Sequence, residues 1–171
     1  KKLGVHLKSS EHTHAHLDHI GAVGPLKAWS PQTQIALHKA DEQIYQNLQM
    51  QGRMFGIEYD APPAVDVFLE HEQTVAFGHQ EFKVIHTPGH SPGGVCLHFK
   101  EGALADTPVL FSGDTLFQQS VGRSDLWGGD HHQLVRSIKE RLLSLDEQTI
   151  IHPGHGASTS VAIEASSNPF L

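Results

Sequence analysis

Short runs of β-forming residues at 34–37, 74–77, 82–86, 95–99, 109–112 and 149–151 are each bounded by turn or breaker residues. Three of them end alike, in a small-residue turn that carries a histidine or an aspartate. The run at 82–86 passes into Thr87-Pro88-Gly89-His90-Ser91-Pro92-Gly93-Gly94, that at 109–112 into Gly113-Asp114-Thr115, and that at 149–151 into His152-Pro153-Gly154-His155-Gly156. Between the runs lie helical patterns. The clearest covers about 130–145, where Leu134, Val135, Ile138, Leu142 and Leu145 make one apolar stripe with Arg136, Lys139 and Glu140 outside it. Asp130 is placed as its N-cap, with Gln133 three residues on. Two further helices are expected at about 19–28 and 40–50. With no internal repeat, low-complexity tract or linker, residues 1–171 read as one α/β or α+β domain.

The segment Thr13-His14-Ala15-His16-Leu17-Asp18-His19 concentrates three histidines and an aspartate. Neutral imidazole nitrogens and a carboxylate oxygen are the donors that suit zinc and similar divalent ions. In an extended segment, His14 and His16 point the same way. If the chain then turns into a helix, Asp18 and His19 face the same cavity from its first turn. The apolar Leu17 and Ile20 set this cluster apart from a solvated polar tag. Glycine beside a donor lets the backbone turn tightly and come close to an ion without a Cβ in the way. Five of the 15 histidines, His14, His16, His19, His90 and His155, and two aspartates, Asp18 and Asp114, therefore fall where donors for two metal ions are needed, with one carboxylate bridging.

Composition closes several other routes. The formal net charge is −7, whereas a nucleic-acid surface needs a basic excess. Cys96 is the single cysteine, so neither an internal disulfide nor a cysteine-rich zinc module is available. No run approaches the roughly 20 apolar residues that span a bilayer. A cytoplasmic location is the default expectation.

The pattern His14-x-His16-x-Asp18-His19, followed by His90, Asp114 and His155, resembles the metallo-β-lactamase-fold hydrolases. The words Thr-Pro-Gly-His-Ser-Pro-Gly-Gly, Ser-Gly-Asp-Thr-Leu-Phe, Val-Gly-Arg-Ser-Asp and Pro-Gly-His-Gly, with the terminal Asn168-Pro169-Phe170-Leu171, are similar to the short, single-domain glyoxalase II-like (hydroxyacylglutathione hydrolase) enzymes of bacteria. The resemblance covers roughly residues 13–171. It implies an αββα sandwich whose opening strands, in the family, precede the first motif and lie outside this chain. By that match His14, His16 and His90 hold one metal, Asp18, His19 and His155 the other, and Asp114 bridges. The ions implied are two zinc ions, with iron or manganese as alternatives.

The activity implied is hydrolysis of S-D-lactoylglutathione or a related small-molecule acyl thioester by a water deprotonated between the two metals, with Asp18 and Asp114 as the catalytic carboxylates. Arg123 stands where such enzymes carry a basic residue for a glutathione carboxylate; its other reading is a surface ion pair with Asp125. Thr87, Ser91 and His152 are candidates to brace the metal-binding histidines. Three other readings fit the same residues: an iron-dependent persulfide dioxygenase using only the first set of donors, a hydrolase of the same fold acting on lactones or β-lactams, and a metal-binding protein without catalysis. The family's strand before the first motif is apolar, whereas here Ser10-Glu11-His12 is polar, which makes His12 a competing donor.

Overall fold

The computed structural model describes residues 6–100, 102–103 and 105–171. Strands β1 (Ser9–Glu11), β2 (Gln34–His38) and β3 (Val67–Leu69) form a parallel three-stranded sheet in that order. A second sheet is built from β4 (Thr74–Phe77), β5 (Gln80–His86), β6 (Val95–Phe99) and β7 (Val109–Gly113). These four run antiparallel to one another. After a small hairpin of β8 (Leu116–Phe117) and β9 (Ser120–Val121), β10 (Ile150–Pro153) joins the second sheet parallel to β7, and β11 (Thr159–Ser160) closes its edge. The strand order there is β11-β10-β7-β6-β5-β4.

Alternation along the strands stacks these sheets between helices. Ala36 and Leu69 of the first sheet meet Phe82, Val84, Val95, Phe99 and Val109 of the second, which makes the inner core. The opposite face of β2, Ile35 and Leu37, packs under α1 (Leu17–Ile20), α2 (Val23–Trp29), α3 (Glu42–Gln46) and α4 (Leu48–Met54) through Ile20, Val23, Ile44, Tyr45 and Leu48. The opposite face of the second sheet, Ile85, Cys96, Leu110 and Ile151, packs under α5 (His131–Ser137) and α6 (Val161–Ser167). The result is four layers, helix, sheet, sheet, helix. Among the described residues no helix is long and apolar enough to cross a membrane.

All six expected strands are present, two with unchanged ends. The helices are more broken than the periodicity implies. The stretch at 130–145 starts as expected, the Asp130 carboxylate accepting from Gln133 N–H at 3.0 Å. It then widens into a π turn at Ile138–Leu142, where Leu143 N–H donates to Ile138 O. The apolar stripe survives: Leu134, Ile138 and Leu142 are fully buried, a gain of about 1.5–3 kcal/mol for each. The expected helix at 19–28 starts earlier and is interrupted after Ile20. That at 40–50 is a 3-10 turn (Lys39–Asp41) followed by α3 and α4. The polar Ser9–Glu11 segment is a strand, held by pairing with Gln34–Ala36 rather than by apolar burial.

Candidate metal centre

The loop after β1 is fixed on both sides before it reaches the site. His12 N–H donates to Ala36 O of β2, and Thr13 O accepts from Val95 N–H of β6, so the loop spans the two sheets. His14 is buried, and His16 is the residue that opens α1, placing Asp18 and His19 within that helix's single turn. His90 sits in the turn after β5, Asp114 follows β7, and His155 follows β10. The first sheet's loop thus supplies four donors and the second sheet supplies three.

Two trios of donor atoms form, and a third group, His14, His19 and Asp114, joins them. His16 Nδ1 lies 2.9 Å from His90 Nε2, which is 3.3 Å from His14 Nε2. In the second, His155 Nε2 lies 3.2 Å from His19 Nε2 and 3.1 Å from Asp18 Oδ2. Asp114 lies between them, with Oδ1 3.3 Å from His19 Nε2 and Oδ2 3.7 Å from His90 Nε2 and 3.6 Å from His155 Nε2. Donors 2.0–2.1 Å from a common tetrahedral ion stand about 3.3–3.4 Å apart, and two of the nitrogen pairs come within about 0.2 Å of that spacing while His16 and His90 are closer. Asp114 Oδ1 is buried and has no aligned hydrogen-bond donor among the described residues, a cost that a cation would remove. The donor set therefore fits divalent metal.

Electrostatics favour neutral nitrogens on the first trio. Burial, then the neighbouring histidines His19 and His90, hold His14 well below the ordinary imidazole value. Burial and His90 bring His16 down to about 4. Burial opposes ionisation of Asp114, but His19, His90 and His155 outweigh it and lower its pKa. His19 is raised, because Asp114 and Asp18 outweigh its burial. Metal binding requires unprotonated imidazoles beside an ionised carboxylate, so the shifts at His14, His16 and Asp114 favour it and the raised His19 works against it, binding there releasing a proton.

The braces differ from those expected. His90 Nδ1 donates to the backbone carbonyl of Arg123 at 2.7 Å, which leaves Nε2 with the lone pair aimed into the site. His14 Nδ1 is 3.2 Å from Thr13 Oγ1. None of the three expected braces bonds to a donor histidine: Thr87 pairs with Thr115 and Cys96, Ser91 donates to Asp41, and His152 pairs with Ser158. The Arg123 guanidinium is held bidentately by Asp125 at 2.8 and 2.9 Å, the ion-pair geometry, on the rim of the cavity. His12 is not among the clustered donors; its Nε2 lies 3.1 Å from Ser10 Oγ, and burial brings its pKa down to about 4.

Asp41 is the residue that sequence reasoning missed. It is completely buried, and one oxygen accepts from Ala15 N–H, between His14 and His16, and from Ser91 O–H, next to His90. The other accepts from Gly93 N–H. One carboxylate thus ties together the two loops that deliver the first trio. Gly154 is equally exacting, since a Cβ there would stand 2.4 Å from Asp114 Oδ1 and 2.5 Å from His19 Cε1. The trios open on a cavity of about 600 Å³ lined by Asp18, Asp114, Arg123 and His155 on its polar side and by Phe55, Ile57 and Leu126 on its apolar side.

Four layers of helix and sheet, with a histidine and aspartate centre on the seam between the sheets, define one kind of protein: the chain belongs to the metallo-beta-lactamase superfamily, whose family model matches residues 12–155. Among individual relatives, it is 39% identical to the probable metallo-hydrolase YqgX of Bacillus subtilis, over 93% of this chain and 73% of that one. It is 35% identical to the hydroxyacylglutathione hydrolase GloC of Haemophilus influenzae, over 100% of this chain and 79% of that one. The crystal structure of TTHA1623 in a di-iron-bound form superposes with a TM-score of 0.86 and 42% identity, covering 99% of this chain and 80% of that one.

Proposed function

We propose that the chain is a dinuclear metal-dependent thioester hydrolase of the hydroxyacylglutathione hydrolase type. The observation that carries this reading is the pair of donor trios with the Asp114 carboxylate between them. The similarity to GloC supports the thioester class. His14, His16 and His90 would hold one ion, Asp18, His19 and His155 the second, and Asp114 both; zinc suits the donors, and iron or manganese would also be accepted. When bound, such a pair lowers the pKa of water towards about 7 and polarises a carbonyl oxygen.

The side chains have separate tasks in this scheme. Asp18, which is exposed to the cavity, accepts a hydrogen bond from the attacking water and so orients it. The Arg123 carbonyl and Asp41 hold the His90 loop in place while the reaction proceeds. In the balanced reaction a water oxygen forms a bond to the acyl carbon, the C–S bond breaks, and a carboxylate, a thiol and a proton leave. The test is to count metals per purified chain and then assay S-D-lactoylglutathione hydrolysis beside oxygen uptake with glutathione persulfide. Two metals with thioester turnover are expected. One iron with oxygen uptake overturns the proposal in favour of a dioxygenase, and metal binding without turnover of the persulfide or of lactoyl, acetyl or hexanoyl thioesters reduces it to a metal-binding protein.

A further inference from the structure

The metal cavity continues into a second, smaller pocket of about 160 Å³, with His16, Gln51, Phe55 and Leu126 lining both. Its remaining wall is Ile44, Met50, Met54 and Trp127 with the uncharged Asn47, and it has no Asp, Glu, Lys or Arg. Four of these side chains are large, apolar and well exposed: Met50 54%, Met54 76%, Phe55 72% and Trp127 56%. A contiguous exposed apolar surface of this kind marks a binding site, and methionines suit it to chains of varied shape.

The pocket is held in register with the centre. Gln51 of α4 donates to Ala15 O, between His14 and His16, and to Ile44 O, while its Oε1 accepts from Leu17 N–H. Met50, Met54 and Phe55 therefore stand at a fixed offset from the donor loop. The charged Asp18, Asp114 and Arg123 that line the metal cavity, and His155, are not part of this pocket. A substrate whose carbonyl sits at the centre thus has two different directions for its substituents, one past charged groups and one past apolar ones.

We infer that the smaller pocket holds the acyl group of the substrate, and that among glutathione thioesters those with a longer, uncharged, apolar acyl chain are preferred, with the thiol portion left in the metal cavity. This rests on the thioester hydrolase reading above and specifies its substrate. A chain of several methylenes buried between Met50, Met54 and Trp127 is expected to raise kcat/KM at least about tenfold over acetyl, since each fully buried methylene contributes a factor of about 4.

The experiment compares S-acetyl-, S-D-lactoyl- and S-hexanoylglutathione on the metal-loaded protein and on Met54→Asp, whose side chain is too exposed to carry the fold. The hexanoyl-to-acetyl ratio is expected to reach about 10 or more in the parent and to fall towards 1 in the variant. A second measurement does not depend on turnover: Trp127 fluorescence in a Trp29→Phe background, titrated with the thioethers S-methyl- and S-hexylglutathione. The hexyl thioether should bind at least about tenfold more tightly, with the advantage lost in Met54→Asp. Turnover of all three thioesters at similar rates, or equal binding of the two thioethers, overturns the inference and leaves the hydrolase reading standing. Absence of any thioester turnover with a retained hexyl preference does the reverse, supporting an apolar subsite while removing the thioesterase.

Discussion

Asp114 and Asp41 show how unevenly single residues announce themselves. Four of the seven metal-donor candidates were legible as the dense His14–His19 cluster and three as a histidine or aspartate in a small-residue turn, and the structure brings six into two adjoining trios and sets Asp114 between them. Asp41 stands in an unremarkable Lys-Ala-Asp stretch, and its importance arises from three donors that reach it from loops 26 to 52 residues away. The brace on His90 had no side-chain signal at all, being a backbone carbonyl. Asp114→Asn is expected to reduce turnover by more than the roughly 10–100-fold that loss of an outer partner costs, with metal content falling below two per chain by mass spectrometry of digested protein. Asp41→Ala strands buried donors at about 1–3 kcal/mol each and is expected to lower stability by about 3 kcal/mol in urea denaturation. It should also weaken metal binding by about 10–100-fold in competition with a chelating dye.

At the level of elements, β-forming runs bounded by turn residues located β2 and every strand of the second sheet except the two-residue edge strand β11. Elements that escaped notice are those whose stability is tertiary. β1 is three polar residues that exist as a strand only beside β2. α6 is seven residues rich in Ala and Ser, anchored by the buried Glu164, which accepts from Gln119 N–H, Thr159 O–H and the Asn168 amide. The Asp130 cap was legible, and Asp130→Ala is expected to cost about 1 kcal/mol in a urea titration. The preceding turn is less tolerant. Gly89 has φ +138°, and a Cβ there would stand 2.3 Å from the backbone of Leu134 in α5. Gly89→Ala must push α5 away or move His90, so soluble Gly89→Ala protein is expected to bind less metal than the parent under the same loading.

The whole molecule responds to protons and to metal in distinct ways. Behind the His90 turn, where His86 Nε2 donates to Pro92 O, His38 and His86 stack with ring centroids 4.0 Å apart. Burial, then His86 and His71, bring His38 down to about 4, and burial likewise lowers His86. His38 Nδ1 accepts from Ala40 N–H, a bond that protonation removes. Because the unfolded chain takes up protons on these rings at higher pH than the folded one, their contribution is intact above about 6.5 and is lost progressively towards pH 4. His38→Gln is therefore expected to flatten the fall in stability between pH 7 and pH 4.5, read from urea midpoints of parent and variant. Metal acts more strongly. At 100 times its dissociation constant an ion adds about 2.7 kcal/mol. At about 2–4 °C per kcal/mol for a chain of this size, EDTA should lower Tm by roughly 5–11 °C for each ion removed.

The seam location of the donors also sets an order of events in the making of the protein. His155 follows Asp18 by 137 residues, so a chain emerging from its N-terminal side exposes the histidine-rich loop long before the second trio has its last member. That early loop holds His14, His16, Asp18 and His19 but neither His90 nor His155, so neither trio is complete until strands of both sheets have come together.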